Sequence, residues 1–273
     1  MERIKKTFQE LEKKGEKPLI VYATACDPDC EESLNIFRRI LKFADMVEIG
    51  MAFSDPLADG PTIQKAHERA IAAGSTTLKV MKLVRKIRDE FPEKPLILMG
   101  YYNPIFVYGE EQFIKDAKEA GVDGFIVPDL PPEEGMEFSQ KVKESGLSPI
   151  FLAAPTSTDE RLKLIEKATG EFIYYVSVTG ITGEREKLAY KEIVNDIERV
   201  KKITGKRTVV GFGISKKEHI INMFKTPDGF VVGSAVVSRI AEKDYQGLEN
   251  LLSELKEATK GEVLKAKAPT LKS

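Results

Sequence analysis

Glu48 interrupts the apolar run Met46-Val47-Glu48-Ile49-Gly50, and Asp59 follows eleven residues later in a loop with two prolines and a glycine. A carboxyl group among apolar neighbours is desolvated, which lifts its pKa toward the range where it can trade protons. Two carboxylates in different surroundings can divide acid and base roles. Plainer readings stand beside this one. Glu48 could neutralise a buried Lys or Arg, and Asp55-Pro56 and Asp59-Gly60 are common turn formers.

A second group of residues suggests a phosphate. Gly211-Phe212-Gly213-Ile214-Ser215 and Gly229-Phe230-Val231-Val232-Gly233-Ser234 each end an apolar run. Glycines there let backbone N–H groups approach a phosphate, and a following helix N-terminus adds partial positive charge. Plain turn glycines are the alternative. The segment Val178–Lys187 is long, polar and holds two glycines, which predicts a lid; a merely mobile loop would look the same. His67 and His219 both fall in helical patterns, arguing against a His-based metal site or triad. No lysine ends a predicted strand, so a Schiff-base aldolase is disfavoured. An enzyme of this kind that breaks C–C bonds needs a substrate that is its own electron sink.

These residues need a scaffold. Eight short apolar runs predict strands: Pro18–Thr24, Met46–Gly50, Pro95–Tyr101, Gly124–Pro128, Ser148–Ala153, Phe172–Ser177, Arg207–Phe212 and Gly229–Gly233. They are nearly continuous rather than alternating, as parallel strands buried on both faces are. Amphipathic patterns between them predict helices at Glu31–Phe43, Thr62–Ala73, Leu78–Asp89, Glu111–Ala120, Glu133–Ser145, Asp159–Lys167, Tyr190–Lys202, Lys216–Phe224 and Glu242–Lys260. Arg3–Lys13 predicts an extra N-terminal helix. Eight β-then-α units predict an α/β fold, a single-domain (β/α)8 TIM barrel over residues 1–260, with 261–273 a flexible tail. An open dinucleotide-binding sheet would want G-x-G-x-x-G after its first strand, and Thr24-Ala25-Cys26-Asp27-Pro28 has no glycine.

Composition narrows the partners. The 273 residues hold 42 Lys plus Arg against 43 Asp plus Glu, a net charge of −1. That balance gives no general pull toward nucleic acid or an anionic membrane. No stretch approaches the ~20 apolar residues that span a bilayer, and the charged N-terminus lacks the apolar core of a signal peptide. A cytoplasmic protein is expected. Cys26 and Cys30, without zinc-ligand partners or a secretory context, are expected to be free thiols.

The segment Phe53-Ser-Asp-Pro-Leu-Ala-Asp-Gly-Pro-Thr-Ile-Gln64, after Glu48-Ile49-Gly50, strongly resembles the tryptophan synthase α chain family. The likeness extends in order through Asp27-Pro28, Tyr101-Tyr102-Asn103-Pro104, Val178–Gly183, Gly211–Ile214 and Gly233-Ser234, from about Lys6 to Ala258. It implies cleavage of indole-3-glycerol phosphate to indole and glyceraldehyde 3-phosphate. It also implies a β-subunit partner in an α2β2 assembly, with no cofactor here and pyridoxal phosphate only in the partner. By the resemblance, Glu48 moves protons and Asp59 meets the indole N–H. Tyr174 and Thr182 stand near the reacting centre, and Tyr22, Ile63, Tyr101 and Ile126 line the indole pocket. Gly183, Gly213, Gly233 and Ser234 hold the phosphate, and no metal is implied. Ala52 departs from the family, where proline is common, in the loop that meets the β subunit. Two other readings share part of this pattern: a sugar-phosphate isomerase or epimerase barrel, and a non-catalytic regulatory subunit.

Overall fold

The computed structural model describes residues 1–177, 186–211 and 213–261. Its strands are β1 (Leu19–Thr24), β2 (Met46–Gly50), β3 (Leu96–Met99), β4 (Gly124–Ile126), β5 (Ser148–Ile150), β6 (Leu152–Ala153), β7 (Phe172–Val176), β8 (Arg207–Gly211) and β9 (Gly229–Val232). They pair in parallel in the order β5-β4-β3-β2-β1-β9-β8-β7-β6. β5 and β6 are parted only by Phe151, whose carbonyl accepts the Tyr174 N–H at 3.0 Å. Counted as one broken strand, they give the eight expected positions, and the two ends of the order meet to form a (β/α)8 barrel.

The pleat sorts each strand between two cores. On β1, Leu19, Val21 and Ala23 join the cluster packed under the helices, while Ile20 joins the barrel interior with Met46, Ile97, Ile126, Ile150 and Val209. Period-two alternation of this kind is why both faces of every strand must be apolar.

The helices are α1 (Glu2–Lys14), α2 (Cys30–Leu41), α3 (Pro61–Ala72), α4 (Thr77–Glu90), α5 (Tyr102–Tyr108), α6 (Glu110–Ala120), α7 (Pro132–Glu144), α8 (Asp159–Ala168), α9 (Glu186–Thr204), α10 (Lys217–Met223), α11 (Ser234–Ala241) and α12 (Tyr245–Thr259). The extra helix, α1, closes the N-terminal end of the barrel. Its Ile4 and Phe8 are buried in the interior cluster, and Phe8 meets Phe172 edge-on with centroids 5.7 Å apart. That plug leaves the opposite end, where the strands finish, as the open mouth. α5 and α11 were not expected from the sequence. α5 spans seven residues with Pro104 in its first turn, too short to show a period. α11 reads Ser-Ala-Val-Val-Ser-Arg-Ile-Ala, an apolar run that continues the strand pattern of β9.

One expectation is corrected. Cys26 and Cys30 are joined by a disulfide rather than free. Cys26 takes a left-handed φ of 63°, which turns the chain back so that Cys30, the first residue of α2, lies opposite it, Cα to Cα 3.9 Å. Spacing considered only for zinc or for a secretory framework does not reveal such a tight local closure.

Candidate active site

The register of the barrel sets the first two groups side by side. Tyr22 on β1 pairs with Glu48 on β2, and Glu48 with Ile97 on β3. Glu48 is fully buried, and neither carboxyl oxygen has a hydrogen-bond partner among the described residues. No described Lys or Arg neutralises it, so the ion-pair alternative finds no support among the described residues. Burial alone pushes its pKa up to about 8, because the charged form loses its hydration and gains nothing in return.

Asp59 lies in the loop between β2 and α3, its side chain only 8% exposed. Its Oδ2 accepts the Tyr101 hydroxyl at 2.8 Å, and the Tyr101 oxygen accepts the Ala58 N–H at 3.0 Å. Phe53 stacks on Tyr101 with centroids 5.2 Å apart. The carboxylate is therefore held by its own loop and by the end of β3. Burial raises its pKa; the Tyr101 hydrogen bond and nearby His67 pull the other way. The two carboxyls thus sit in contrasting surroundings, one bare and one hydrogen-bonded.

Around Glu48 lies a cavity of about 160 Å³. Tyr22, Ile63 and Tyr174 line it as expected, and Gly213, Gly233 and Ser234 line the same space. Neither Ile126 nor Tyr101 borders this cavity: Ile126 is buried in the interior layer with Tyr174, and Tyr101 packs against Phe53 and Asp59. Thr182 and Gly183, and with them most of the expected lid, lie outside the described residues. Met99 and Val231 also line the cavity. In the sequence nothing separates them from core strand residues, because only closure of the barrel shows which apolar side chains border a void.

Gly233 caps α11 and Ser234 begins it. The first N–H groups of a helix have no partner within it, so they present donors and partial positive charge toward the cavity. Gly213, in the loop after β8, has a left-handed φ of 60°, which few other residues tolerate. The glycines and the helix start suit an anion; Tyr22, Tyr174 and Met99, which line the same cavity as Glu48, suit a flat apolar group.

Two glycines fix the aromatic walls by what they lack. A Cβ on Gly50 would overlap the Tyr22 hydroxyl and ring, and one on Gly211 would overlap those of Tyr174. We expect Gly50→Ala to displace Tyr22, destabilise the protein by about 1–3 kcal/mol and lower turnover. Thermal unfolding together with a rate measurement checks this, and an unchanged melting curve would show that the ring has room to move.

The fold and site define a (β/α)8 barrel with two carboxyl groups in unlike surroundings and a helix N-terminus at the same mouth. The sequence model of the tryptophan synthase alpha chain family matches residues 8–268, and the chain belongs to that family, carbon–carbon lyases that cleave indole-3-glycerol phosphate. The chain is 50% identical over 258 residues to the tryptophan synthase alpha chain of Aquifex aeolicus, covering 94% of this chain and 98% of that one. It is 49% identical to the Methanocaldococcus jannaschii alpha chain over 242 residues, 88% and 85% of the two. Among solved structures, the Legionella pneumophila alpha subunit superimposes with a TM-score of 0.88 at 36% identity, covering 94% of this chain and 98% of that one. A chain of the Pyrococcus furiosus tryptophan synthase a2b2 complex gives 0.83 at 40% identity, covering 88% and 98%.

Proposed function

We propose that Glu48 and Asp59 carry out the retro-aldol cleavage of indole-3-glycerol phosphate in a catalytic domain of residues 1–260. The observation that carries this reading is Glu48, a buried carboxyl without a partner among the described residues, whose pKa burial pushes up to about 8. Protonated, it is the acid that delivers a proton to indole C3. The ring becomes a cation centred on nitrogen, and the Asp59 carboxylate faces the N–H and stabilises that charge. Glu48, now a carboxylate, takes the proton of the adjacent glycerol hydroxyl. The O–H electrons form the aldehyde C=O, and the C–C bond electrons return to the ring. Indole and glyceraldehyde 3-phosphate leave, and Glu48 is protonated as at the start.

The indole ring is the electron sink, so the chemistry calls for no metal and no cofactor on this chain. Tyr22, Ile63, Tyr101 and Tyr174 hold the ring, with Ile126 behind them, and the family resemblance adds Thr182, which lies outside the described residues. Gly213, Gly233 and Ser234, with Gly183, hold the phosphate. None of the described helices is long and apolar enough to cross a membrane, which fits the cytoplasmic setting of a biosynthetic enzyme.

The exposed side chains Leu57, Phe106 and Val107 lie in the segments after β2 and β3, at the end of the barrel that carries Asp59. Large apolar groups exposed together mark a contact surface. We assign it to the β subunit, the site to which indole passes and the place of the pyridoxal phosphate. Indole release from indole-3-glycerol phosphate tests the whole scheme. Slow release by this chain alone, at least tenfold faster with the β subunit, is the expected result. A folded chain that releases none under either condition would point to another phosphate-binding barrel enzyme.

A further inference from the structure

His67 lies on α3, 2% exposed, in a segment that from sequence alone reads as an ordinary helix face. Its Nδ1 accepts the backbone N–H of Phe53 at 3.0 Å. A ring nitrogen that accepts a hydrogen bond carries no proton, so a neutral ring must carry its proton on Nε2. Burial keeps the ring neutral by lowering its pKa, against the pull of Asp59. The Nε2 hydrogen then faces two oxygens, Asp59 Oδ2 at 3.6 Å and the Tyr22 hydroxyl at 3.4 Å. The Tyr22 hydroxyl is in turn 3.1 Å from Thr24 Oγ1.

We infer that His67 is a positioning residue for Asp59, holding the β2–α3 loop by one ring nitrogen and the carboxylate by the other. The inference rests on the reading of Asp59 given above. The loop has two anchor points of the same kind. At its start the Phe53 N–H is held by His67; near its end the Ala58 N–H is held by Tyr101. Both anchors also face Asp59 Oδ2, His67 through its other ring nitrogen and Tyr101 by donating the hydrogen of the same hydroxyl. With Oδ2 directed at the protein, Oδ1 is left for the substrate N–H. The 3.6 Å separation is long for a hydrogen bond, and contacts of this type often tighten only when substrate closes the site.

The groups facing the ring from each side are few. Tyr22 comes from β1, Asp27 from the loop after β1, Asp59 from the β2–α3 loop and Tyr101 from the end of β3, its ring edge-on at 6.3 Å. Asp27 is already held by Arg69 through two bonds of 2.7 Å. From α11 the contact with α3 is apolar, Val237 beside Ala66. The ring therefore faces oxygen acceptors, and of the two carboxylates among them Asp27 is taken up by Arg69, which leaves Asp59 as the one the proposed mechanism sets against the substrate.

Two substitutions separate the two nitrogens. In His67→Asn the amide oxygen can still accept the Phe53 N–H, but nothing reaches Asp59. In His67→Gln the longer amide can still donate toward Asp59. Each is measured alone and in an Asp59→Asn background, by steady-state indole release across pH and by thermal unfolding. The expected result for His67→Asn is a roughly tenfold lower kcat with KM little changed. Its acid limb should move to higher pH, because a carboxylate stripped of a donor holds its proton more tightly. His67→Gln should recover most of both. In the Asp59→Asn background the tenfold loss should shrink to near unity, since partners in one interaction are not additive.

Failure of the two readings is distinguishable. Asp59→Asn at the wild-type rate would overturn the role of Asp59 itself. A large Asp59→Asn effect overturns the His67 inference in either of two cases: His67→Asn keeps the wild-type kcat and acid limb, or it costs the same factor in both backgrounds. If His67→Asn does not fold, the comparison of His67→Gln with wild type decides: a normal acid limb supports the inference, and one displaced to higher pH despite the retained donor overturns it.

Discussion

Glu48→Gln is expected to abolish cleavage, with kcat reduced at least 10³-fold, while indole-3-glycerol phosphate still binds within a few-fold of wild type. Glu48 serves twice in each turnover, first as acid at carbon and then as base at oxygen. Either role alone is worth roughly 10²–10⁴-fold, and glutamine can perform neither. Its amide has nearly the carboxyl shape, so the walls made by Tyr22 and Tyr174 should persist. Indole release measures the first quantity and calorimetric titration of uncleaved substrate the second. A variant within tenfold of wild type would remove Glu48 from the mechanism. The same substitution should leave a separate mark on stability. Glu48 has a folded pKa of about 8, against 4.5 for an ordinary glutamate. Folding at neutral pH must therefore take up a proton. A raised folded-state pKa means that the wild-type protein is most stable below about pH 4.5 as far as this group is concerned. It loses that contribution as pH rises toward 8. Glu48→Gln removes the dependence, with an expected gain of about 1–3 kcal/mol at pH 7. Urea unfolding at pH 5 and pH 8 checks this: the advantage of the variant should grow with pH. Inactive yet more stable is a combination that a merely structural glutamate would not produce.

The scaffold was legible because the physics that builds it is local. Runs such as Pro-Leu-Ile-Val-Tyr-Ala-Thr are apolar on both faces, and β1 occupies Leu19–Thr24 within that run. Strand ends shifted by a residue or two, where proline or a turn stops the ladder. α11 escaped because Val236, Val237 and Ile240 are buried on one side of only two turns, with too few residues to separate a helical period from a strand. The site was legible in part. Glu48 stands out as a charge inside an apolar run, and the glycines at the ends of β8 and β9 mark the anion end. That no described cation meets Glu48 could not be read from sequence, because sequence alone does not say which of the chain's 42 Lys and Arg residues fold beside it. His67 was hidden for the same reason. Its partners, the Phe53 N–H and Asp59, lie in a loop whose path depends on Tyr101 from the next strand. The disulfide of Cys26 and Cys30 was missed because it depends on the left-handed backbone of one residue.

Asp59→Asn is expected to lower kcat by about 10²–10³-fold, the cost typical of removing one preorganised electrostatic partner, with KM changed far less. The asparagine oxygen can still accept one of the two hydrogen bonds, from the indole N–H or from the Tyr101 hydroxyl, and the remaining pocket contacts keep the substrate in place. What disappears is the negative charge, which matters only once C3 is protonated and the ring nitrogen becomes cationic. An interaction stronger in the transition state than in the bound substrate acts on kcat, and that separates this prediction from a simple binding defect. The pH profile carries the sharper test. Asp59 must be ionised, so activity rises as pH climbs through its pKa, which burial lifts above the ordinary aspartate value. Glu48 must be protonated in the free enzyme, so kcat/KM falls as pH climbs through about 8. The wild type should therefore show a bell, and Asp59→Asn should lose the acid limb and keep the alkaline one. If both limbs survive the substitution, the acid limb belongs to some other group and Asp59 does not act as the counter-charge. If the acid limb alone vanishes, the two carboxyls have the separate duties that their surroundings impose: one bare and protonated for transfer, the other tethered and charged for stabilisation.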